Sequence, residues 1–211
     1  MTRYAGALTL REARERYFTE NGLNAAYDDR WIKLRLGRRQ LPVLPNTKAR
    51  VAAVRVHDLH HVATDYDTSW VGEGEISAWE LASGCGPYLA AWVLDLAGFG
   101  IGCLLSPRRM LRAFVRGRHS KNLYAEGYNP ARLGQTVAEL RGELGLSDVT
   151  PPVKLADVLA FAGWVLLGLL YNLGGMMSVA VLALALFKMP RTEARQPVAA
   201  PASANSTAPV G

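Results

Sequence analysis

The sequence predicts an all-α protein: a helical bundle carrying a metal site, with an added C-terminal hydrophobic membrane helix or helical hairpin. Three observations predict this. Apolar residues recur at helical spacing in segments separated by Gly, Pro and Asn punctuation. Two histidines stand four residues apart within one such segment, with acidic residues beside and after them. Val158 to Phe187 holds no charged residue at all. Half of the 211 residues are hydrophobic and 20% are charged, an apolar balance for a soluble chain.

Taken in order, Leu8 to Phe18 is rich in helix formers and is expected as an amphipathic helix, ended by Asn21-Gly22. Asp28 to Pro45 carries Gly37, Pro42 and Pro45 and is expected as loop or short extended structure. Asn46 or Thr47 caps a helix running through Val51, Val54 and His57 towards Val62. A polar connection, Asp65 to Ser69, leads to a second helix beginning near Gly72-Glu73 and broken at Ser83 to Pro87. Tyr88 to Leu105 is apolar except for Asp95 and suits a core helix or one dipping into a membrane. Leu133 to Leu144 is a further amphipathic helix, stopped by Gly145.

Pro151-Pro152 separates a helical domain over 1–150 from a membrane segment over 151–189. Val158 to Phe187 as one helix spans roughly 45 Å, against a hydrocarbon core of roughly 30 Å. A single span must therefore tilt or break, and Asn172-Leu173-Gly174-Gly175 is the expected place for a break. Lys154 precedes the segment, while Lys188, Arg191 and Arg195 follow it. Basic flanks at both ends favour a hairpin returning to the cytoplasmic side, as on a bacterial inner membrane. The tail over 190–211 is rich in Pro, Ala, Ser and Thr and is expected to be disordered.

The net charge is +6, and its placement matters more than its size. Arg108, Arg109, Arg112, Arg116, Arg118 and Lys121 alternate with Met110, Leu111, Phe114 and Val115, a mixture suited to an anionic membrane surface. No nucleic-acid reader module or stacking motif accompanies them. Cys85 and Cys103 lack CxxC spacing and read as core residues. The first twenty residues contain no sustained apolar run, which argues against a secretory signal.

Three of the four histidines lie in His57-Asp58-Leu59-His60-His61. Residues four apart on a helix differ by about 40° in azimuth, so His57 and His61 project from one face and can chelate one ion. Asp58 lies about 100° away, where it reaches the edge of the site or orients a ligand. Glu73 follows His61 after a gap long enough to finish one helix and return on a neighbour. Metal ligands are therefore expected at His57, Asp58, His61 and Glu73, with His60 as an extra. Imidazole with carboxylate suits zinc first, and also iron(II) or manganese. Two other motifs sharing these letters fail. The histidine boxes of membrane desaturases need about eight histidines across the chain. HD phosphohydrolases need a histidine upstream of His57. Zincin proteases place Glu where Asp58 stands, and the shorter acid reaches less far as a general base, which leaves a protease as a weak third reading.

At these residues the sequence resembles the ubiquinone (coenzyme Q) biosynthesis family of the Coq-four type, whose hallmark is His-Asp-x-x-His, eleven residues, then Glu. His57, Asp58, His61 and Glu73 fit it position for position. Gly72-Glu73 with Trp79-Glu80-Leu81, Gly117-Arg118 with Asn122-Leu123-Tyr124, and Leu144-Gly145-Leu146 are also similar, so the resemblance covers roughly 49–146. His60, Gly74 and the hydrophobic segment after Pro152 depart from it. The resemblance implies an all-helical, membrane-associated protein with a bound divalent metal. Its implied substrate is the polyprenylated ring precursor of coenzyme Q, and its implied activity is lyase-like: oxidative removal of the ring's C1 carboxyl, replaced by hydroxyl. The alternative is a non-catalytic lipid-binding organiser of other quinone-biosynthesis enzymes; a homodimer is compatible with either. The residues by themselves name no catalytic group beyond the metal ligands.

Overall fold

The computed structural model describes residues 3–23, 27, 29–36, 39–147 and 149–188. Among them, seven α-helices carry the fold. The first, α1 (Leu10–Asn21), begins where Thr9 and Glu12 cap each other's backbone N–H groups, and ends where Gly22 turns left-handed at φ 62°. Where the sequence allows loop or short extended chain, β1 (Trp31–Leu36) and β2 (Arg39–Pro45) pair as an antiparallel hairpin. Thr47 then caps α2 (Lys48–Thr64), and Ser69 caps α3 (Trp70–Ser83), each accepting a backbone N–H with its hydroxyl. The apolar segment forms α4 (Leu89–Leu105), and the basic segment forms α5 (Pro107–Arg118). A 3₁₀ turn over Pro130–Gly134 delays α6 (Val137–Leu144), which starts later than its apolar pattern suggests because the Thr136–Glu139 capping box fixes its first turn.

The core sits where α3 packs between α4 and α5, around Trp79, Phe99, Met110 and Phe114, all buried. Gly74 and Gly102 let α3 and α4 approach closely. A Cβ on Gly74 would meet the Cα of Gly102 at 2.8 Å and the Met110 sulfur at 3.0 Å. On the other side, arginines close the C-terminal end of α2. Arg141 donates to the carbonyls of Ala63 and Val62, and Arg116 to that of Thr64. These are carbonyls a helix end leaves without an intrahelical donor. Asp65, left-handed at φ 64°, turns the chain there and pairs with Arg141 at 2.7 Å.

The hydrophobic segment forms one helix, α7 (Leu155–Lys188), so of the two alternatives the sequence left open, helix or hairpin, the structure has the single helix. Asn172 does not disrupt the helix: its amide donates to the Gly168 carbonyl one turn back and to the Ala97 carbonyl of α4. Ladder bonds run on through the following glycines, whose only cost is backbone entropy. Leu155–Val179 is long and apolar enough to cross a membrane by length and composition. The chain divides into two units, Met1–Met176 and Met177–Gly211. The first therefore continues past Pro151-Pro152, because the early turns of α7 pack on α4 and α5. Trp164 stacks on Trp92 at 5.9 Å, Phe161 meets Phe99 and Phe114 at 5.6 Å, and Asp157 pairs with Arg118 at 2.7 Å. The expected disordered tail over 190–211 lies outside the described residues.

Candidate metal centre

Two helices build the site. On α2, Arg50, His57 and His61 fall within one narrow stripe, because seven residues complete almost two turns and four complete just over one. On α3, Glu73 and Glu80 form the matching stripe. The crossing places the His57 ring between the two glutamates. Its Nε2 lies 3.5 Å from Glu73, and its Nδ1 lies 3.0 Å from each carboxylate oxygen of Glu80. The Nε2 of His61 lies 3.1 Å from that of His57 and 3.5 Å from the other oxygen of Glu73.

Hydrogen-bond partners settle what each ring nitrogen does. Nδ1 of His61 faces the Tyr66 carbonyl at 2.9 Å; a carbonyl only accepts, so this nitrogen carries the proton. Nδ1 of His57 likewise donates to the Glu80 carboxylate. Both Nε2 atoms then turn lone pairs towards one point, which is unfavourable unless a proton or a cation lies between them. Around a tetrahedral ion with 2.0–2.1 Å bonds, donor atoms stand about 3.3 Å apart. The three separations here, 3.1, 3.5 and 3.5 Å, bracket that value. Donor chemistry and spacing both fit a divalent cation held by His57, His61 and Glu73, with Tyr66 and Glu80 orienting the imidazoles from behind.

His57, Glu80 and Asp95 also bring one ligand atom each within 4.8 Å of one another. That group suits a cation less well. Glu80, fully buried, already accepts from Nδ1 of His57, Nδ1 of His60 (2.6 Å) and the Tyr124 hydroxyl (3.2 Å). The tautomer of His60 is fixed from the other side, where its Nε2 accepts the Leu123 backbone N–H at 2.9 Å. Burial and the neighbouring Glu80 push Asp95 well above the usual carboxylate range, which disfavours its charged form, and the Cys85 thiol donates to it at 3.2 Å. This is a satisfied hydrogen-bond network around one buried charge.

The electrostatics follow. Burial alone would depress the His57 imidazole, but the charges and hydrogen bonds of Glu80 and Glu73 outweigh it and hold it well above its ordinary 6.5. Burial would likewise raise Glu73 and Glu80, yet the histidines hold both below the usual range. His60 is depressed, first by burial.

Of the four expected ligands, the structure brings together His57, His61 and Glu73. Asp58 does not join that set: its carboxylate accepts the Tyr27 hydroxyl, and burial raises it. The reason is its azimuth on α2, which turns it from Glu73 towards the residues preceding the hairpin. His60 belongs to the Glu80 network, and Glu75 pairs with Arg109 at 2.9 Å. Glu80 and Asp95 were not singled out from the sequence as parts of the site. Asp95 did carry a signal, as the single charge in an apolar helix, which requires a buried partner.

The centre opens into a cavity of about 600 Å³. Its polar floor includes His57, Glu73 and Asp95; Leu94, Gly98 and Ile101 of α4 make an apolar wall, and Trp70 stands at the rim, 70% exposed. Leu94 faces both the cavity and the outer surface. Leu89 and Val93 of α4 and Leu159, Leu166 and Leu170 of α7 are exposed as well. No protein-family model, curated protein or solved structure matches the chain.

Proposed function

We propose that this protein is a metal-dependent enzyme acting on a lipid with a polar ring head and an apolar tail, the polyprenylated ring precursor of coenzyme Q. The observation that carries the reading is the pair of Nε2 lone pairs converging with Glu73 at the floor of a cavity whose apolar wall continues onto exposed α4. A head group enters towards the cation, and its tail lies along Leu94 and Ile101. The resemblance at His57, Asp58, His61 and Glu73 supports the same substrate. The apolar length of Leu155–Val179 supports anchoring in the membrane that holds it, and the basic residues on both flanks of the segment are the ground for placing the domain on the cytoplasmic side.

A bound zinc or iron(II) ion supplies Lewis acidity towards a ring carboxylate or phenolate. The chain's own residues do the rest: Glu80 and Tyr66 fix the imidazole tautomers, and α4 excludes water from one side of the head group. Replacing the C1 carboxyl by hydroxyl, with water supplying the oxygen, releases carbon dioxide, two protons and two electrons, and dioxygen would take up the protons and electrons as hydrogen peroxide. Elemental analysis of the purified full chain, with mass spectrometry of the head-group product formed from a prenylated hydroxybenzoate, tests the reading. Wild type should hold about one metal per chain and form product; Glu73→Gln should lose both. A metal-loaded wild type without turnover would instead support the organiser, in which the ion only braces α2 against α3.

A further inference from the structure

Arg50 lies on the same stripe of α2 as His57, two turns earlier, which is roughly 10 Å along the axis. It lines the same cavity. Its Nη1 donates to Asn46 Oδ1 at 2.8 Å, an uncharged acceptor. Its Nε is buried and meets no acceptor. Among the described residues, no carboxylate comes within 4.0 Å of the guanidinium. Asp58 and Glu73 line the cavity too, but Asp58 takes the Tyr27 hydroxyl and Glu73 takes the two histidines. Three arginines on α5 and α6 do pair with carboxylates, Arg109 with Glu75, Arg118 with Asp157 and Arg141 with Asp65, while Arg14 and Arg116 share the unpartnered Nε but do not line the cavity.

A half-buried guanidinium with no carboxylate in contact gives up hydration, and only the more distant charge of Asp58 works against that loss. Burial accordingly lowers its proton affinity, though never enough to discharge it. The edge left without acceptors, Nε with Nη2, is the one that grips a planar carboxylate through two parallel hydrogen bonds. We propose that Arg50 is the specificity-determining residue of the cavity and takes an anionic oxygen group of the ligand, about two helical turns from the cation. The inference rests on the reading of the cavity as a head-group site. It adds that the head group is held at two points, its C1 carboxylate at Arg50 and its phenolate oxygen at the metal. The uncharged tail then has only the α4 wall to follow.

The test is the binding of 4-hydroxybenzoate and of its methyl ester to the detergent-solubilised full chain, zinc-loaded and zinc-stripped. A hydrogen-bonded charge pair predicts that wild type prefers the acid by roughly 10- to 100-fold in both forms. Arg50→Gln should abolish that preference with zinc content unchanged, and Arg50→Lys should restore only part of it, since an ammonium lacks the fork. Equal binding of acid and ester by wild type would overturn the assignment. So would a preference that survives Arg50→Gln, or one that disappears with zinc while Arg50 is intact, because either places the anion on the cation. If no zinc binds at all, the proposed function fails while the acid preference of the stripped protein still reports on Arg50.

Discussion

His57 and His61 face each other through their Nε2 atoms at 3.1 Å, while their Nδ1 atoms donate away, to Glu80 and to the Tyr66 carbonyl. Lone pairs so placed make the two rings a chelate, and several outcomes depend on that arrangement.

Glu73 is the most accessible of the three ligands, with its side chain 39% exposed, so it can be changed with little damage to the core. Glu73→Gln should leave the metal-free protein folded, with its unfolding midpoint lowered only by the lost charge facing His57 and His61. It should weaken zinc binding by more than the roughly 10–100-fold that outer partners of a ligand contribute. Competition with a zinc-sensitive dye checks this.

Glu80 acts through His57. Glu80→Gln keeps the shape but removes the charge that His57 and His60 donate to. Zinc affinity should fall by about 10–100-fold. Glu80→Ala also strands three buried donors and should destabilise the fold by about 3–5 kcal/mol. Denaturant unfolding of both variants separates the two effects.

Protons and metal compete for the same lone pairs. His57 is held well above 6.5 in the metal-free protein, so binding a divalent ion must release a proton, and affinity should rise with pH through the neutral range. The metal-free fold has the complementary dependence. The contribution of the raised imidazole is complete below its unfolded value near 6.5 and is lost as pH climbs through the folded one. That of Glu73 and Glu80 is complete above about 4.5 and is lost as pH falls towards their depressed values. Stability without metal should therefore be greatest between these limits. Thermal melts from pH 3 to 9, with and without chelator, provide the measurement.

Gly74 is one of the positions that depart from the resemblance, and close packing explains it. Gly74→Ala would force Cβ against the Gly102 backbone and Met110, where only the sulfur can move aside. A loss of about 1–3 kcal/mol is expected, read from urea unfolding. Gly142, with open space where a Cβ would stand, is the control, and Gly142→Ala should be neutral or stabilising.

Two truncations distinguish the parts of α7. Removing 177–211 leaves the Met1–Met176 unit and its contacts intact, so the protein should fold but leave the membrane fraction more readily. Removing 151–211 uncovers Trp92, Phe99 and Phe114, which pack on Trp164 and Phe161, and should give aggregation. Fractionation with detergent-free wash buffer reads both.

The sequence by itself determined the helices, their caps and the stripe that aligns His57 with His61, because helical periodicity and the hydrogen bonding of Thr47, Ser69 and Gly22 are local. It also placed Glu73 on the next helix at a workable distance. Tertiary structure alone decided the remainder. Asp58 and His60 carry ligand chemistry just as His57 does; their azimuths on α2 are local, but only tertiary packing sets Tyr27 against one and Glu80 against the other. The continuity of α7 was likewise not legible. Asn172 and two glycines read as a break along the chain, and it is the Ala97 carbonyl of α4, 75 residues away, that gives the Asn172 amide a partner across the helix interface.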